Sequence, residues 1–162
     1  MDALTDVLVS EFADFSADGL IRLIVRLIVA GFCGGLIGWE RGRAGKAAGV
    51  RTHILVAMGA AVFVSIPQFL AGGPDPISRV LQGVATGIGF LGAGCILKDT
   101  HDNQVRGLTT AAGIWLTAAA GAIAGSGRGA SAVLVGAFGW FVLSILGRIE
   151  RWVDSGRSAS TD

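Results

Sequence analysis

Apolar residues run almost without a break through five stretches of the chain: residues 19–39, 52–70, 77–97, 107–125 and 129–147. Each is 19 to 21 residues long, and about 20 apolar residues suffice to cross a bilayer as a helix. The runs are continuous and rich in Ala and Leu. A membrane barrel strand would instead alternate apolar and polar positions over about 10 residues. The pattern therefore predicts an all-α, polytopic bundle of five transmembrane helices. The links between runs are short, the last being only Ser-Gly-Arg, so successive helices are expected to run antiparallel.

Before the first run, Leu4, Val7, Leu8 and Phe12 recur at helical spacing among five acids, with no Lys or Arg. A signal peptide needs a cationic start. Residues 1–18 are instead read two ways, as an amphipathic helix on the membrane surface or as a frayed polar terminus. The expected organisation is this segment, a membrane domain over 19–150 and a cytoplasmic tail over 151–162.

Composition sharpens the picture. Hydrophobic types make up 52% of the 162 residues, Gly supplies 26 more, and only 15% are charged. Soluble domains carry about 25% charged residues. A net charge of +1 gives no reason to expect nucleic acid. Nine Lys and Arg fall on one side of the expected membrane and four, Arg22, Arg26, Arg79 and Arg128, on the other. The positive-inside rule then puts the N-terminus outside and the C-terminus inside. Trp39 and Trp152 fall at the inner interface, whereas Trp115 and Trp140 fall mid-span and are expected to fill space between helices.

Lipid gives apolar helices no hydrophobic reason to associate, so small residues that allow close approach do much of that work. Such ladders recur in Ala30, Gly34 and Gly38, in Gly83, Gly87, Gly89 and Ala93, in Gly113, Thr117, Gly121 and Gly125, and in Ala132 and Gly136. They predict a tight bundle without a wide aqueous pore. Pro67 should bend or end the second helix. A faint repeat (Gly31-Phe32, Glu40, Val50-Arg51 against Gly89-Phe90, Asp99, Val105-Arg106) relates the first two hairpins.

Charges near the bilayer need a partner or a role. Arg22, Arg26 and Arg79 form a candidate outer basic cluster. The Arg22 and Arg26 side chains either snorkel to headgroup phosphates or pair with a carboxylate or an anion. Glu40 and Arg51 bracket the first inner loop, and Asp99 and Arg106 the second. These pairs are read as boundary ion pairs or as a gate or partner surface. Asp99, His101 and Asp102, with Glu40 and His53 able to approach them, are the metal candidates; the other reading is solvated loop charges. Cys33 and Cys95 are expected to act as small packing residues. The Gly-rich run 87–94 lies inside a span and lacks the strand that a dinucleotide fingerprint requires. No nucleophile–base–acid set is present, so no enzyme is expected.

Residues 36–61, LIGWERGRAGKAAGVRTHILVAMGAA, resemble the first signature of the MgtC/SapB family of bacterial inner-membrane proteins. GIGFLGAGCI at 87–96 and VRGLTTAAGIWLTAAAG at 105–121 are similar to the second and third. The motif positions matched are Glu40, Arg41, Gly49, Arg51, Thr52, His53, Gly89, Phe90, Gly92, Gly94, Arg106, Gly107, Thr109, Thr110 and Trp115. The resemblance implies a five-span domain tied to magnesium homeostasis, acid stress and, in pathogens, survival inside host cells. It implies action on other membrane machinery, the proton-driven ATP synthase included. Longer members add a soluble C-terminal domain, so no role resting on that domain is expected here. Cys95 stands where the motif more often has an aliphatic residue. The expectation is a non-enzymatic modulator, with a small oligomeric Mg²⁺ or proton transporter or channel as the alternative. Expected partners are membrane lipid, further copies of the chain (a dimer among the forms considered) and another inner-membrane protein. No cofactor is expected beyond Mg²⁺ as a candidate.

Overall fold

The computed structural model describes residues 2–12, 16–69, 74–98 and 105–149. Within these, six helices follow one another: α1 Asp2–Phe12, α2 Ala17–Arg43, α3 Val50–Phe69, α4 Pro74–Gly94, α5 Leu108–Gly125 and α6 Gly129–Phe141. A π-helical turn, Val142–Leu146, carries α6 onward. The His101 and Trp152 readings, the metal candidates Asp99 and Asp102, and the tail over 151–162 lie outside the described residues.

Among the described residues, four helical segments are long and apolar enough to cross a membrane: Ala17–Arg43, Val50–Gln68, Leu108–Gly125 and Gly129–Ile149. The expected third span is helical as α4 and has 21 residues. It falls outside this set because Asp75, Ser78, Arg79 and Gln82 dilute its first half. Leu55, Phe63, Phe90 and Phe138 are each more than half exposed. Such a coat would be untenable in water over so large a surface and is what a lipid-facing surface requires.

α2, α3 and α5 pack against one another; α6 lies across α2 and α5, and α4 rests on α5 and the edge of α3. Ala30, Cys33, Ala57, Ala61, Ala120, Ala124 and Ala132 form the buried centre. The closures are made at glycine. A Cβ at Gly34 would stand 2.5 Å from the His53 carbonyl oxygen, and one at Gly38 2.7 Å from Val50 Cα. At Gly121 and Gly125 a Cβ would overlap the Ala57 and Ala61 carbonyls, and at Gly136 it would lie 3.2 Å from Cys33 Cβ. The expected ladders of the first, fourth and fifth spans therefore form the seams. That of the third does not: a Cβ at Gly83, Gly87 or Gly89 would meet nothing within 4 Å. α4 leans on α5 at its far end, where Gly92 faces Ala111. The two hairpins of the faint repeat accordingly close differently.

α3 ends two residues past Pro67, in keeping with the lost amide donor. The link before α5 contains a two-residue antiparallel pairing, Leu97 with Arg106 and Lys98 with Val105. Gly107 then turns at φ 93°, in the left-handed region that glycine enters freely. A Cβ there would overlap the Cys95 carbonyl. α1 forms as a helix with Leu4, Val7, Leu8 and Val9 exposed, so its apolar side chains are not spent on the bundle.

Candidate functional site

The last turn of α2 carries Glu40, Arg41 and Arg43, and it packs against the start of α3. Gly38 lets the two backbones approach, and this approach buries Arg41, which is 4% exposed. The Arg41 guanidinium pairs with the carboxylate of its neighbour Glu40. The partner expected for Glu40 is Arg51. The structure corrects this: Arg51 opens α3 on an exposed face, whereas Arg41 is drawn inward and holds the acid.

His53 sits one turn into α3 and is fully buried. Its Nδ1 lies 2.9 Å from the Gly49 carbonyl oxygen. A carbonyl can only accept, so Nδ1 carries the proton and Nε2 presents a lone pair. Nε2 is buried with no hydrogen-bond partner among the described residues. It faces α5 at Gly113, where a Cβ would stand 3.6 Å from Nε2 and 4.0 Å from Arg41 Cδ. Gly113 thus leaves room for an imidazole and a guanidinium stem to share one helix face. Thr110, one turn earlier, is also buried. In the next turn Thr117 donates to the Gly113 carbonyl at 2.8 Å, a back-bond that satisfies its hydroxyl inside an apolar bundle.

The structure therefore brings together Glu40, Arg41, Gly49, His53 and Gly113, from the first and third signatures, with Thr110 buried one turn before Gly113. It does not bring in the rest. Arg51, Thr52, Arg106 and Thr109 are exposed, and Phe90 is 82% exposed on α4. Gly89 and Gly94 face open space, while Gly92 contacts α5. Trp115 and Trp140 are 53% and 39% exposed, yet each borders a neighbouring helix: Trp115 lines a groove with Leu81, Val84 and Ile88 of α4, and Trp140 a cavity with residues of α2. Among the described residues, no three His, Cys, Asp or Glu side chains gather to hold a metal ion. Of the candidates that lie among the described residues, Glu40 pairs with Arg41 and His53 is buried against α5.

At the opposite end, Arg26 reaches across to α3. Its Nη1 reaches Ser65 Oγ at 3.5 Å, and its guanidinium underlies Gly127, where a Cβ would stand 3.1 Å from Nη2. Ser65 Oγ donates to the Gly125 carbonyl at 3.1 Å, and Gln68 Nε2 donates to the same oxygen at 3.0 Å. The carbonyls of Ala122, Ile123 and Ala124 accept from the amides of Ser126, Arg128 and Gly127. The last carbonyls of α5 are thereby satisfied, and a cation lies at the negative end of its dipole. Arg22 and Arg79 remain exposed. Ser65 and Gln68 are not among the residues that the sequence singles out, although two polar residues three apart in an apolar helix are the available signal.

A sequence profile described as the MgtC family matches residues 27–152. Over 142 residues the chain is 44% identical to Protein SrpB of Synechococcus elongatus, covering 81% of this chain and 78% of SrpB. It is 46% identical over 114 residues to "Putative magnesium transporter YhiD" of Escherichia coli K12, covering 65% and 52%. It is 49% identical over 94 residues to Protein MgtC of Brucella abortus, covering 58% and 38%. The chain thus spans about half of YhiD and less of MgtC. No solved structure matches it.

Proposed function

The chain belongs to the MgtC family, and on that premise we propose that it is a non-enzymatic protein of the bacterial inner membrane. It modulates other membrane machinery or ion homeostasis, through helix contacts with partners or with its own copies. In this reading α4 completes a fifth crossing. The end carrying Arg41, Arg43, Arg51, Arg106 and Arg148 faces the cytoplasm. The magnesium connection comes from YhiD, a relative named for magnesium transport, and from the family.

One observation carries the proposal: the centre of the bundle is sealed. Alanine and glycine backbones touch along α3 and α5 at Gly121 and Gly125, leaving no room for a hydrated path. Two of the spaces along the helices are apolar grooves on the outside. One of about 610 Å³ runs between α3 and α4, lined by Val56, Gly59, Phe63, Gly83 and Gly87. Another of about 540 Å³ lies between α5 and α6. A conduit would instead need polar groups along its length.

The second reading is a small oligomeric transporter for Mg²⁺ or protons. What favours it is the buried polar cluster at one end, above all the unpartnered Nε2 of His53. The two readings separate in proteoliposomes loaded with a Mg²⁺-sensitive or pH-sensitive dye. The modulator reading expects flux at the level of protein-free vesicles. Saturable flux that disappears with Glu40→Gln would establish the transporter reading in its place.

A further inference from the structure

Trp39, Glu40 and Arg43 line a cavity of about 540 Å³ at the end of α2, together with Trp140, Ser144 and Arg148 from α6 and its extension. Unlike the grooves along the helices, this one has charged walls. The π-helical turn Val142–Leu146 falls between Trp140 and Arg148, and π turns recur at functional sites. Ser144 within that turn is 7% exposed and forms part of the wall. Arg43 and Arg148 come from different helices and are exposed, free of the burial that fixes Arg41. Glu40 contributes a carboxylate, but Arg41 offsets it, which leaves Arg43 and Arg148 to set a positive field. Trp39 and Trp140 are 60% and 39% exposed, so the cavity opens on the outside of the bundle.

From this arrangement we infer a binding site for the headgroup of an anionic phospholipid. Two guanidinium forks match the oxygens of a phosphate diester. Indoles favour the level where headgroups meet acyl chains. A basic pocket between spanning helices is a known form of headgroup recognition. Arg43 and Arg148 hold the phosphate, Ser144 offers a hydroxyl, and the two indoles flank the glycerol and the first carbons of the chains. The site rests only on the membrane placement of α2 and α6, not on the modulator reading. The indoles and the opening toward the lipid side favour a lipid over a free phosphate ester.

The test is native mass spectrometry of the full chain, purified in mild detergent, delipidated and titrated with single phospholipids. Phosphatidylglycerol should bind at one site in preference to phosphatidylethanolamine and phosphatidylcholine. The double variant Arg43→Gln/Arg148→Gln should bind it at least about tenfold more weakly, since charged hydrogen bonds are lost. Arg22→Gln/Arg79→Gln removes the same charge at the other end and should bind as the parent does. Gel filtration checks that both variants elute like the parent. Equal retention of the zwitterionic lipids or equal loss in the Arg22/Arg79 control would overturn the proposal. So would unchanged binding in Arg43→Gln/Arg148→Gln, or displacement of the lipid by glycerol 1-phosphate at matching concentration.

Discussion

Alanine at Gly121 is expected to destabilise the bundle by about 1–3 kcal/mol, the usual cost of overpacking, and valine by more. The added methyl would overlap the Ala57 carbonyl and stand 2.7 Å from Ala57 Cα. The obstacle is backbone, so no rotamer change relieves it, and α3 and α5 must part. Gly125 meets Ala61 in the same way, so the double change should separate the helices along two turns. Gly87→Ala is the matched comparison. Nothing lies within 4 Å of a Cβ there, so the change should be neutral or stabilise by up to about 1 kcal/mol through backbone entropy. Unfolding in mixed micelles, followed by circular dichroism, reads both. Equal effects at positions 87 and 121 would show that the seam is not where the structure places it.

The second large effect concerns the ion pair at the end of α2. Glu40→Ala should destabilise by about 3–5 kcal/mol, because it strands a buried guanidinium. The Arg41 side chain is 5% exposed and that of Glu40 12%. Arg41→Met should therefore cost less, since the remaining carboxylate can recruit water more readily. The double variant should recover much of the loss, because removing both charges also removes their desolvation. A double-mutant cycle gives the coupling directly. Additive losses would mean that the two side chains do not act as a pair.

Much of this arrangement is legible in the sequence. Long apolar runs reveal their helices because a bilayer demands about 20 consecutive apolar residues, and the small-residue spacings of α2, α5 and α6 correspond to real seams. What stays hidden is which ladders are used. Gly83 and Gly87 repeat at the same interval as Gly121 and Gly125, but spacing alone does not say whether another backbone lies opposite. The polar pairings are hidden for a related reason. Glu40 and Arg51 look like partners across a loop, yet the burial of Arg41 decides the matter, and burial depends on where α3 and α5 cross. Ser65 and Gln68 converge on the Gly125 carbonyl, with Arg26 beside Ser65, and nothing in the spacing announces that meeting. The link before α5 shows the same limit. Val105 and Arg106 read as loop, and only the nearness of Leu97 and Lys98 makes them a strand pair.

The thiol of Cys33 gives the most direct test of the sealed centre. It is fully buried among Ala30, Ala57 and Ala132, close against Gly136, and replacing Cys95 by serine leaves it as the one cysteine of the chain. In intact membranes, a charged, membrane-impermeant thiosulfonate is expected to leave Cys33 unmodified from either side, and to label it fully once the protein is unfolded in SDS. Rapid labelling in the folded, membrane-embedded protein would mean that water reaches the middle of the bundle, and that α2, α3, α5 and α6 do not close on one another as the structure has them.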